Sequence, residues 1–95
     1  MELEMKWLDC TISMGQFTGE FAVQGRMFND SEFSLFAQKD ELLFDKEPTP
    51  EKSIRGKIRV VTLDEKEDLL LVALPRPTLE NGRAITVKAE DVRDQ

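Results

Sequence analysis

The sequence has no histidine and no tyrosine, and only one cysteine, among its 95 residues. Without histidine the chain lacks the commonest general base and the commonest metal ligand, and a Ser–His or Cys–His pair cannot form. The single thiol, Cys10, excludes a disulfide within the chain and alternates with Leu8 and Ile12, which predicts a buried, unreactive side chain. These absences favour a protein that is not an enzyme and that holds no metal or cofactor.

Long apolar runs are missing as well. No stretch reaches the roughly 18 apolar residues of a membrane-spanning helix, and the opening residues, MELEMKWLDC, lack the apolar core of a signal peptide. No glycine-rich phosphate loop or dinucleotide fingerprint is present, and the acidic run Asp64–Asp68 lacks the spacing of an EF-hand and is typical of a solvated turn. We therefore expect a cytoplasmic protein that makes no membrane contact.

The residues that are present are typical of one small globular domain spanning 1–95. Hydrophobic residues make up 40% and charged residues 34% of the chain. Nineteen acidic residues against 13 basic ones give a net charge of −6, which disfavours general attraction to nucleic acid or to anionic membranes.

Apolar residues recur with a period of two, which is typical of strands with one buried face. The clearest such segments are Phe17–Met27 and Ile54–Leu63, and the continuous run Leu69–Leu74 has strand length. Asn81-Gly82 predicts a type I′ hairpin turn with Glu80 facing Arg83. We predict an all-β fold with little helix, either a small antiparallel barrel or two short packed sheets.

Two pairs of segments resemble each other within the chain. FTGEFAVQ, starting at Phe17, matches IRGKIRVV at a separation of 37 positions, which equates Gly19 with Gly56 as corners on the core face. SLFAQKDELL, starting at Ser34, resembles AITVKAEDVR at a separation of 50 positions. We predict two related β-units, residues 1–45 and 53–95, joined by a proline-containing linker at 46–52. The alternative is coincidence, because the pattern apolar-x-Gly-x-apolar is common in β proteins.

FTGEF with Phe28-Asn29, and later IRGKIRVV, also resembles the two motifs of the Sm-like RNA-binding fold. The match covers about a quarter of the chain. The chain has Gly25 where that family has an acidic residue and Glu32 where it has leucine, and 34 residues follow Val61. The internal repeat explains the same residues, and we do not assign the chain to that family.

Three cations, Arg55, Lys57 and Arg59, share one face of the predicted strand at Ile54–Leu63. They could follow a phosphate backbone, although no aromatic side chains for base stacking are interleaved on that face. The alternative is that they pair with carboxylates on neighbouring strands.

Phe28, Phe36 and Phe44 are the remaining candidates for a surface. Phe36 falls on the face opposite Phe33 and Leu35, and apolar groups on both faces indicate a second core layer or a surface for a partner. Self-association through this face predicts a homodimer.

Together these features favour a non-enzymatic protein–protein binding or structural module. One alternative is an acidic protein that mimics nucleic acid to inhibit its target. Another is weak nucleic-acid binding through Arg55, Lys57 and Arg59. A third, a hydrolase, would need an acidic cleft, which no pattern in the sequence locates.

Overall fold

The computed structural model describes residues 3–80 and 82–95, which form an all-β fold, as predicted. The described residues contain eight strands and two single-turn 3-10 helices, which lie at Lys39–Glu41 and Ala89–Asp91. The strands are β1 (Glu4–Met14), β2 (Glu20–Arg26), β3 (Glu32–Gln38), β4 (Leu42–Leu43), β5 (Ile54–Lys66), β6 (Leu69–Thr78), β7 (Gly82–Lys88) and β8 (Val92–Arg93).

All the strands belong to one antiparallel sheet that curls into a half-barrel. The main path runs β3-β2-β1-β5-β6-β7, while the short strands cross over, so that β4 pairs with β5 and β8 pairs with β1. Backbone hydrogen bonds draw the ends of the path together: the Phe28 N–H donates to the Thr86 carbonyl over 2.9 Å and the Leu79 N–H donates to the Ser34 carbonyl over 2.8 Å. The curl therefore encloses one core.

One face of every long strand supplies the core, as the period of two requires. Sixteen buried apolar residues form a single cluster among the described residues. Leu8, Val23, Phe33 and Ile58 are completely buried. Burying a side chain of this kind stabilises the fold by about 1.5–3 kcal/mol, which makes this shared cluster the main source of stability.

The hydrogen-bond registers repeat along the chain at a spacing of 50 residues. In the central β1–β5 ladder Leu8 pairs with Ile58, which lies 50 positions further on. Glu4 pairs with Thr62, and the residues related to these two by 50 positions, Ile54 and Ile12, also pair with each other. The crossovers repeat the same spacing, because Leu8 also pairs with Val92 and Ile58 with Leu42. We call β1 to β4 unit 1 and β5 to β8 unit 2.

The predicted separation of 37 positions does not appear in these registers, because Ile54 corresponds to Glu4 and not to Phe17. Strand β2 begins at Glu20, and the prediction that Phe17 and Gly19 share its core face is wrong. Phe17 is 71% exposed, and Gly19 has a φ of +82° with no atom near its missing Cβ. Gly19 forms a turn, where φ above zero suits glycine.

The remaining sequence predictions concern turns and the linker. Residues 46–52 contain no named strand, only an isolated bridge between Thr49 and Lys52, and the division into 1–45 and 53–95 stays a prediction.

The predicted type I′ turn includes Asn81, which lies outside the described residues. Glu80 does not face Arg83 as predicted, because Gly82 pairs with Thr78 at this end of the β6–β7 hairpin. The Glu80 carboxylate instead accepts hydrogen bonds from the backbone and side chain of Ser34. No helix within residues 3–80 and 82–95 has the length and apolar character to cross a membrane.

Candidate functional site

The cations Arg55 and Lys57 lie on the outer face of β5, because Ile58 and Val60 of the same strand face the core. In register with them on β1 are Thr11, opposite Arg55, and Asp9, opposite Lys57. The Arg55 guanidinium donates to the Thr11 hydroxyl over 3.1 Å, which is a contact with a neutral group.

Asp9 would be the natural partner for Lys57, but another cation holds it. Its two carboxylate oxygens accept hydrogen bonds from Arg93 Nε at 3.2 Å and Arg93 Nη2 at 2.9 Å. This fork also raises the pKa of Arg93, since the hydrogen bond and the negative charge both favour the charged guanidinium. Lys57 is thus left beside a carboxylate that is already paired.

No carboxylate of the described residues forms an ion pair with Arg55, Lys57 or Arg59. The expectation that carboxylates across the sheet neutralise this row of charge is therefore not met. Within residues 3–80 and 82–95 this row of cations has no ion-pair partner, although the chain carries a net charge of −6.

A cavity of about 480 Å³ brings Arg55 and Lys57 together with an aromatic side chain, and we call this cavity the β5 groove. Its lining includes Phe44 and Leu43 as apolar walls and Arg55, Lys57 and Arg93 as cations. Asp9, Asp45, Gly56 and Gln95 complete the lining. A second cavity of about 360 Å³ adjoins it through the shared residues Asp9 and Arg55.

Two features of the backbone shape the β5 groove. Gly56 has no Cβ, and a Cβ there would lie 2.7 Å from the Leu43 carbonyl oxygen, so its absence permits the close approach of β4. Phe44 follows β4 and is half-buried, with its ring centroid 5.6 Å from that of the core residue Phe21. One side of Phe44 therefore belongs to the core, while the residue also lines the groove.

The structure separates the other predicted site residues from this groove. Arg59 lines a cavity of about 180 Å³ with Arg83. Phe36 is 40% exposed and shares a further cavity with Phe17, whereas Phe28 is 46% exposed and lines yet another cavity. The three phenylalanines therefore line three different cavities.

Asp9 and Arg93 were missed as site residues by the sequence reasoning. They are separated by 84 residues, and β8 reaches β1 only through the crossover. No local pattern in the sequence signals this contact.

Cys10 is unreactive in this setting, and this gives a direct prediction. Its side chain is buried, and the loss of water raises the pKa of the thiol to about 12, with the charge of Asp9 adding to the rise and Arg55 opposing it. At pH 8 we expect a thiol-specific disulfide reagent to leave the native protein unmodified while a free thiol reacts fully, a rate difference of roughly 1,000-fold or more from the thiolate fraction alone. The same reagent should titrate one thiol in 6 M guanidinium chloride. Rapid reaction of the native protein would contradict the burial of Cys10.

No protein-family model matches the sequence, and neither a curated protein nor a solved structure shows a significant match. The resemblance to the Sm-like motifs thus gains no support. What the site can bind must be inferred from its own groups. These are a guanidinium and an ammonium group that form no ion pair with described residues, an aromatic wall, and the carboxylates of Asp45 and of Asp9, which Arg93 holds.

Proposed function

We propose that this chain is a non-enzymatic binding module that recognises another protein, and that the β5 groove takes an extended, carboxylate-bearing segment of that partner. The observation that carries the proposal is the unpaired state of Arg55 and Lys57 among the described residues of a chain with 19 acidic and 13 basic residues. The single buried thiol, Cys10, suits a reducing compartment, and we propose the cytoplasm.

The chemistry of the groove fits a carboxylate. Arginine presents its donors in a planar fork that matches the two oxygens of a carboxylate, and charge-assisted hydrogen bonds of this kind are about twice as strong as neutral ones. Lys57 adds a second donor, while Leu43 and Phe44 offer an apolar surface to the side chains that flank the acidic residue. A segment that combines acidic and apolar residues satisfies both parts of the groove.

The overall charge of the chain limits how such a partner binds. At a net charge of −6 the molecule repels acidic chains at long range, and the attraction operates only near the groove. We therefore expect slow association and a modest affinity, with a Kd of about 10–100 μM for an isolated peptide.

A second candidate is binding of a nucleic-acid backbone along the whole row Arg55, Lys57 and Arg59. The observation that favours it is that none of the three forms an ion pair with a described carboxylate, so that described residues do not neutralise their charges; Arg55 makes only the hydrogen bond to the neutral Thr11 hydroxyl. This candidate needs Arg59, which lines a different cavity from the β5 groove, whereas the protein-binding proposal does not.

The test uses fluorescent 12-residue peptides that alternate acidic and apolar residues, matched peptides with amides in place of the carboxylates, and single-stranded RNA of 12 nucleotides. We expect the acidic peptides alone to bind, and the double variant Arg55→Ala/Lys57→Ala to weaken that binding at least tenfold. The double variant Lys46→Ala/Lys52→Ala removes the same charge from the exposed linker and serves as the matched control.

Three results would count against the proposal. Equal binding of the acidic and amide peptides would show that the carboxylates of the peptide do not contribute to binding. An equal loss of affinity in the linker control would show that the net charge of the chain, and not the β5 groove, sets the affinity. Binding of RNA that falls at least tenfold on Arg59→Ala would favour the second candidate.

A further inference from the structure

The two units of this fold complete each other reciprocally. Unit 1 contributes β4 to the edge of β5, and unit 2 contributes β8 to the edge of β1. The central ladder between the units runs through nine residue pairs, from Glu4–Thr62 to Ile12–Ile54. The largest hydrogen-bonded surface of each unit is therefore turned towards the other unit.

Two ion pairs join the units in the same reciprocal way. Asp91, in the second 3-10 turn, accepts hydrogen bonds from Arg26 Nε and Nη2, each at 3.1 Å. Glu41, in the first 3-10 turn, accepts from Arg76 Nε at 3.1 Å. Both carboxylate residues are only 7% exposed, and each contact links one unit to the other.

The segment that connects the units is held at two points, because Phe44 packs against the core and Pro48 is buried. Residues 44–53 lie between β4 and β5, with a single bridge at Thr49–Lys52. Within the segment Thr49 and Lys52 exchange two backbone hydrogen bonds of 3.1 Å around a tight turn, and Pro50 occupies a turn position that favours proline. The segment becomes extended only when this turn opens. Fully extended, ten residues span about 33 Å, which exceeds the two shorter dimensions of the molecule, 25 and 20 Å. The segment is thus long enough to join two adjacent copies of the fold.

We propose that two copies of this chain form a dimer by exchanging units, with residues 44–53 as the hinge. In this dimer, unit 1 of one chain pairs with unit 2 of the other through the same ladder, crossovers and ion pairs as in the single chain. The partner that fits the inter-unit surface is therefore a second copy. The exchange requires the hinge to extend, which opens the turn at Thr49–Lys52 and moves the buried Pro48. This inference does not depend on what binds in the β5 groove, although residues of both units line that groove.

The first test cuts the hinge after the dimer has formed. A variant whose residues 46–52 are replaced by a seven-residue recognition sequence for a specific protease is refolded at high concentration, as an equal mixture of isotope-labelled and unlabelled chains. The dimer is isolated and cleaved. We expect the assembly to fall to half its mass, with native mass spectrometry detecting particles that join a labelled unit 1 to an unlabelled unit 2.

Two outcomes of this test overturn the proposal. If neither this variant nor the chain with its natural hinge forms a dimer, the exchange does not occur. If the cleaved dimer keeps twice the mass of a single chain, the copies associate through their outer surfaces instead. Both outcomes are distinct from the predicted halving of the mass.

A second test keeps the natural hinge and reverses charges. One chain carries Arg26→Asp and Glu41→Arg, and the other carries Arg76→Glu and Asp91→Arg, so that each chain alone places like charges at both contacts. Refolded together, the two chains can exchange units and restore opposite charges at every contact. We expect the mixed dimer to exceed either dimer of identical chains at least tenfold.

The control for this test combines all four changes in one chain, which restores opposite charges within it and should fold without a partner. If this control folds but the mixture yields no excess of mixed dimer, the proposal is wrong. If the control does not fold, the hinge-cleavage test alone decides.

Discussion

Gly56→Val should lower the free energy of unfolding by about 2–4 kcal/mol, at or above the upper part of the roughly 1–3 kcal/mol that overpacking typically costs, because the neighbours of this site cannot move. A Cβ at this position would lie 2.5 Å from the Cδ1 atom of Ile12 and 2.7 Å from the carbonyl oxygen of Leu43. Ile12 is completely buried, and the Leu43 oxygen belongs to the backbone of β4, which pairs with β5 at this point. Neither atom can retreat without opening the core or the crossover.

Urea melts of Gly56→Val and Gly19→Val would test this expectation, with Gly19→Val as the comparison. A side chain at Gly19 meets no atom within 4 Å, but the φ of +82° disfavours any residue with a Cβ. We expect a smaller loss there, about 1–2 kcal/mol, from backbone strain alone. Equal losses in the two variants would contradict the distinction, and an unchanged midpoint for Gly56→Val would contradict the packing at β4.

The double variant Arg26→Met/Arg76→Met should be destabilised by roughly 2–4 kcal/mol. Arg26→Met leaves Asp91 without its charged partner, and Arg76→Met does the same to Glu41. The side chains of these two carboxylates are only 11% and 10% exposed. An uncompensated buried charge costs about 3–5 kcal/mol, and we reduce this because the arginines themselves are half-exposed and the carboxylates can gain some water.

Lys88→Met is the control for this prediction. Lys88 pairs with Asp30, whose side chain is 66% exposed, so that water can replace the lost partner and the loss should stay below about 1 kcal/mol. Thermal or urea unfolding of both variants gives the comparison. Similar losses in the two would show that burial of the carboxylate does not set the cost.

The strand pattern could be read from the sequence because a half-buried strand shows its period directly. Phe21 and Val23 on β2, and Ile58 and Val60 on β5, face the core as their spacing predicts. The error at Phe17 arose because alternation can continue by chance through a turn, and a positive φ at Gly19 leaves no mark on that alternation.

The candidate site could be predicted only where it depends on one strand. The period of two places Arg55 and Lys57 on the same outer face, as observed. The crossover of β8 decides which cations remain unpaired, since it brings Arg93 to Asp9, and such contacts between distant segments have no local signature. For the same reason the phenylalanines could not be assigned to separate cavities.

The repeated registers show that the two units pair their strands in the same way, but the side chains on the outer faces of the two units differ. At a spacing of 50, the positions of Arg55, Lys57 and Arg59 correspond to Met5, Trp7 and Asp9 on β1. A molecule with identical units would present two equivalent grooves and take up two ligands. This chain presents the cationic face once, so that a saturating titration should reach a stoichiometry of one ligand per chain, and a single chain gains no avidity for a partner with repeated acidic segments.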